Sequence, residues 1–132
     1  MSAQDTIVAK ATPTGAGGVG VIRISGHLAH QTGCEIARLD SLTPRFAHFS
    51  SFYDQNGQPL DQGVLLYFKN PHSYTGEDVV ELQAHGSEVI LDALLERILS
   101  MGVRMARGGE FTERAFHNGK IDLIQADGVC DM

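Results

Sequence analysis

The 132-residue sequence contains no tryptophan and only two cysteines, and its 10 lysines and arginines are outnumbered by 16 aspartates and glutamates. Cys34 and Cys130 lie far apart and lack metal-ligand spacing, so they read as reduced thiols and not as a disulfide framework or zinc site. No apolar run approaches the ~20 residues that a membrane helix needs. The opening Met1-Ser-Ala-Gln-Asp-Thr lacks the basic start and apolar stretch of a secretion signal, and the arginines of a transit peptide. These absences together lead us to expect a cytoplasmic protein without a membrane partner. A net charge of −6 argues against a module that grips a nucleic-acid backbone alone, because such binding rests on many Lys and Arg contacts to phosphate.

What is present fits one ordinary globular domain with a real core: 42% hydrophobic and 20% charged residues. Thr6–Thr12 and Val21–Ser25 are β-prone runs around the loop PTGAGGVG (13–20). His27–Leu39 turns helical, although Gly33 weakens it. Phe46–Tyr53 reads as a strand closed by the turn pair Asn56-Gly57, and Val64–Phe68 returns from it. Asp78–His85 alternates, with Val80, Leu82 and Ala84 facing one way and Val79, Glu81, Gln83 and His85 the other. Ser87 precedes a helix with Leu91, Leu94, Leu95 and Ile98 on one stripe, which Gly102 ends. A short strand at 103–106 leads to a helix at Thr112–His117, stopped by Asn118-Gly119. Asp122 with Gln125 suggests the start of a further helix. The order β-β-α-β-β-β-α-β-α combines a hairpin with helical crossovers. It predicts an α+β domain with a mixed sheet and helices packed on one side.

Several motifs invite a chemical reading. Gly15–Gly20 satisfies the spacing of a dinucleotide loop, but such a loop must open a helix, and strand residues follow it here. A phosphate-binding P-loop fails as well, because Val21-Ile22 stands where Lys-Ser/Thr is required. A wide turn, or a loop that closes over a ligand, remains. Arg23 sits inside an apolar strand, where its charge needs a protein carboxylate or a ligand anion. The polar side of 78–85 is either a solvated sheet face or a pocket wall. In the second case Glu81 suits a heterocycle with an amino group beside a ring N–H, an edge that pterin and guanine share. Arg104, Arg107, Arg114 and Lys120 face only Glu110 and Glu113 over 104–120, which makes either a solvated face or an anion pocket. Lys120 lies in the tight joint between two helices.

Three long segments carry a resemblance: DTIVAKATPTGAGGVGVIRISG, SYTGEDVVELQAHG and GGEFTERAFHNGKIDLIQAD. Over essentially its whole length the chain resembles the N-terminal domain of the MnmE (TrmE) family of bacterial tRNA-modification GTPases. Thr14, Gly108 and Gly128 depart from the family's usual residues. The resemblance implies a fold like the folate-binding domain of aminomethyltransferases. It implies residues 1–119 as a tetrahydrofolate-binding and dimerisation domain, and 120–132 as the start of a helical domain. It also implies a 5-formyl or 5,10-methylene tetrahydrofolate as one-carbon donor for modification of the tRNA wobble uridine (U34), held by Arg23, Glu81 and Lys120. Partners would be a second copy, the flavoprotein MnmG, and tRNA through the full complex. GTP, Mg and K ions would bind outside this chain, so the chain alone is expected to lack GTPase activity. Cys130 does not correspond to the functional cysteine of the family's C-terminus. Two other readings are a purely structural dimerisation module and a nucleic-acid-binding module, the latter disfavoured by the acidic balance.

Overall fold

A computed structural model describes residues 5–11 and 18–120. The elements are β1 (Ile7–Lys10), β2 (Val19–Ser25), α1 (Ala29–Ala37), β3 (His48–Tyr53), β4 (Pro59–Phe68), β5 (Val79–His85), α2 (Glu88–Leu99), β6 (Arg104–Met105) and α3 (Glu110–His117). The strands form one mixed sheet in the order β3-β4-β5-β2-β1-β6, antiparallel except for the β1–β6 pair. The α+β class and the element order are as the sequence patterns predict. The Asp122 helix start and the proposed second domain beyond Lys120 lie outside the described residues, as does most of the 13–20 loop.

Alternation decides which face is core. Val8, Ile22, Ile24, Val80 and Leu82 are fully buried on one face, against Ile36 of α1 and Leu91, Leu94, Leu95 and Ile98 of α2. Burying each such aliphatic side chain contributes roughly 1.5–3 kcal/mol. The register places Arg23 directly across from Glu81, and Leu66 on the other side of Glu81. All three side chains therefore project from the face that α1 and α2 leave uncovered. Of α3, Phe111 and Ala115 are buried outside the main cluster.

Boundaries differ from the sequence expectation where local signals are weak. β4 begins at Pro59 and not at Val64. Proline is tolerated at a strand's first residue, and Asp61 and Gln62 pair with β3 despite poor strand propensity. Asp54 organises the turn, accepting the Asn56 and Gln58 backbone N–H groups, while Gly57 takes φ +83°. Gly33 does not break α1; a Cβ there would stand 3.1 Å from both Leu42 and Val80, so its smallness lets the helix sit close to β5. Ser87 precedes α2 as expected but makes no side-chain cap hydrogen bond.

Gly63 marks the tightest approach in the sheet: a Cβ there would lie 2.0 Å from the Gln83 carbonyl oxygen. Gly63→Ala must push β4 away from β5, and we expect a loss of about 2 kcal/mol or more. At Gly18 a Cβ would meet nothing within 4 Å. Gly18→Ala is expected to stay within about 0.5 kcal/mol of the parent. Thermal denaturation of the two variants checks the contrast; equal melting temperatures would refute the close approach.

Candidate functional site

Arg23 and Glu81 form a cross-strand ion pair. Arg23 donates from Nε and approaches from Nη2, both at 2.9 Å and both to Oε2 of Glu81. Glu81 Oε1 takes no hydrogen bond from the described residues. The Glu81 side chain is 17% exposed and that of Arg23 30%. The carboxylate is thus held by one oxygen, with the other unclaimed in a partly desolvated position. The charge inside the apolar strand is compensated by protein, the first of the two alternatives open from sequence.

Lys120 is carried separately. α3 ends at His117 with Asn118 as its C-cap, and Gly119 takes φ +73°. The Lys120 N–H then bonds the Ala115 carbonyl at 2.8 Å. Its ammonium donates to the Pro71 carbonyl at 3.0 Å from an exposed position. Of the lysines and arginines in 104–120, Lys120 alone makes no ion pair among the described residues. The structure therefore joins Arg23 to Glu81 directly and places Lys120 on the 70–77 segment.

The other three arginines do not form an anion pocket. Arg104 gives a fork to Glu110 at 3.1 and 2.8 Å and reaches Asp5 at 3.1 Å. Arg107 pairs with Glu110 and Glu113 at 3.3 and 3.0 Å. Arg114 is 5% exposed and meets Glu77 at 3.1 Å, Glu110 at 3.4 Å and the Asp5 carbonyl. Sequence reading missed Glu77 and the partnering role of Glu110; the i, i+4 spacing of Glu110 and Arg114 was the available signal. The hydrogen bonds from Arg104, with the Arg107 N–H and the nearby positive charges, outweigh burial and hold the Glu110 carboxyl down from 4.5 to about 2.

A cleft of about 740 Å³ lies elsewhere, beside α1, and is lined by His30, Cys34, Glu35, Arg38, Asp40 and Arg97 among others. It contains none of Arg23, Glu81 and Lys120, and its two arginines are matched by two carboxylates. Burial, aided by Asp40 and Glu35, raises the Cys34 thiol above its ordinary range, so it is not an activated nucleophile. No group of acids, histidines and cysteines suited to a metal occurs among the described residues. No helix there is long and apolar enough to cross a membrane.

The family model described as "GTP-binding protein TrmE N-terminus" matches residues 6–120. The chain belongs to this family. It is 57% identical over 130 residues to a tRNA modification GTPase MnmE of Haemophilus ducreyi, covering 98% of this chain and 28% of that one. It is 56% identical over 128 residues to the MnmE of Legionella pneumophila strain Corby, covering 97% and 29%. A Histophilus somni MnmE is 54% identical over 130 residues. The chain thus spans little more than a quarter of these relatives' length.

The depressed Glu110 carboxyl makes stability pH-dependent. Its contribution is full above the ordinary value of 4.5 and is lost as pH falls toward about 2, because the unfolded chain takes up the proton first. Integrated over that gap the effect is on the order of 3 kcal/mol. Glu110→Gln should destabilise the domain at pH 7 and flatten its stability profile between pH 5 and 2.5. Melting curves across that range test this; an acid slope as steep as the parent's would rule it out.

Proposed function

We propose that this domain binds a reduced folate, a 5-formyl or 5,10-methylene tetrahydrofolate, through Arg23, Glu81 and Lys120. The observation that carries the reading is the half-used Glu81 carboxylate. Arg23 holds the carboxylate through Oε2, and Oε1 remains to accept one N–H of a donor edge such as that of the pterin amino group or ring N–H. Lys120, exposed and bound among the described residues to a neutral carbonyl, can exchange that bond for an anionic tail. The residues present therefore fit the ligand. When bound, the folate would supply the one-carbon unit. The chain's own part is to orient the pterin ring and match its donor pattern.

In the longer protein this domain would serve a GTPase that modifies the U34 wobble uridine of tRNA in the cytoplasm, together with the flavoprotein MnmG. Nucleotide and its Mg and K ions would bind in regions beyond this chain. The naming of the relatives as tRNA modification GTPases supports this context.

Glu81→Gln presents an NH₂ donor to a donor edge, so folate affinity should fall roughly tenfold to a hundredfold. The variant also loses the Arg23 ion pair, a partly screened interaction, so stability should fall by no more than about 1 kcal/mol. Lys120→Ala should weaken binding less, and the difference should shrink as salt is raised. Calorimetric titration with 5-formyltetrahydrofolate decides: parent-like binding by Glu81→Gln excludes the assignment.

We further propose that the domain is a homodimer. The outer edge of β3 is unpaired by any described strand, and its Phe49 is 87% exposed with Phe46 nearby at 57%. Light scattering at micromolar concentration should give twice the chain mass; a monomer overturns the proposal. A dimer that binds no folate would leave the purely structural reading standing.

A further inference from the structure

We infer that Glu77 is a positioning residue for the proposed folate site, acting on the ligand through Lys120. The inference rests on the folate reading. Glu77 stands where the carriers of all three proposed contacts meet. Its Oε1 accepts from Ser25 Oγ at 2.7 Å, and Ser25 lies two residues from Arg23 on the same face of β2. Both its oxygens accept from Arg114 Nη1, at 3.1 and 3.3 Å, and Arg114 belongs to α3, which leads into Lys120. Glu77 itself lies four residues before Glu81, at the entry to β5.

Around this carboxylate the 70–77 segment is fixed to both neighbours. Thr75 is fully buried and its hydroxyl meets Ser25 Oγ at 2.7 Å. Asn118 Nδ2 donates to the Thr75 carbonyl at 2.8 Å. Tyr74 and Thr112 hydroxyls lie 3.1 Å apart. Gly76 takes φ +82°, and a Cβ there would stand 2.9 Å from Asn118 Cβ and 3.4 Å from Lys120 Cγ. Lys120 therefore packs on the same short segment whose Pro71 carbonyl receives its ammonium. Glu77 is the charged link between that segment, β2 and Arg114.

Removing the charge takes one ion pair from Arg114, which is 5% exposed, and its pair with Glu110 is already shared with Arg104 and Arg107. The joint loosens where Lys120 is held. A merely structural ion pair would lower stability and leave ligand affinity to follow independently. A positioning role makes the effects of Glu77 and Lys120 on affinity overlap.

The test is a double-mutant cycle on the full chain with 5-formyltetrahydrofolate by calorimetry, melting temperatures being measured alongside. Glu77→Gln should weaken binding about fivefold in the parent, and by no more than Lys120→Ala does, because it acts through Lys120. In the Lys120→Ala background it should weaken binding by less than about twofold, while its loss of melting temperature is the same in both. Ser25→Ala, which cuts only the link to β2, should show the same pattern at smaller size and serves if Glu77→Gln does not fold. Equal fold-losses of affinity in both backgrounds, or a change in melting temperature alone, overturn the inference while leaving the folate site intact. No binding by the parent chain overturns both.

Discussion

A guanidinium removed from water has to be compensated, and the arrangement around Arg114 follows from that need. Its partners among the described residues include two carboxylates and a backbone carbonyl, drawn from the segment before β1, the entry to β5 and α3 itself. Breaking a buried pair by deleting one partner typically costs about 3–5 kcal/mol, because the surviving charge is left desolvated. The cluster specifies where α3 docks more than it adds net stability. An apolar contact such as Phe111 tolerates sliding, whereas a charged fork does not.

The same face of the sheet therefore has two regimes. At one end, Arg114 and Glu110 lock segments together and are nearly closed to solvent. Further along, Arg23 and Glu81 are paired but half open, and Leu66 flanks them. Rigid support beside an incompletely satisfied carboxylate is the arrangement expected of a site that pre-orients its ligand contacts.

Much of the fold was legible because it rests on short-range periodicity. Val80, Leu82 and Ala84 alternate with Glu81 and Gln83, and the α2 leucines recur with helical spacing; both patterns survive without tertiary information. The first half of β4 was not legible. Pro59, Asp61 and Gly63 are poor strand residues that β3 recruits by hairpin pairing, an effect that single-residue propensity does not show. Among site residues, Arg23 was marked by an unpaired-looking charge in an apolar strand, and the register explains it through Glu81. Glu77 and Glu110 looked like ordinary surface acids. Only folding brings Asp5, Glu77, Arg104 and Arg114 together, and no local pattern encodes a meeting of residues up to 109 positions apart.

The parallel pairing of β6 with β1 sets the order in which the domain can be completed during synthesis. Ile7 pairs with Arg104, so β1 gains its second neighbour in the sheet only once β6 has been made. Closing so large a loop is slow compared with forming the β3–β4 hairpin or α2. Until then β1 presents a bare edge of Ile7 and Val8, two side chains that end with no exposure at all. A nascent chain held at that stage is the form most exposed to wrong pairing with other strands.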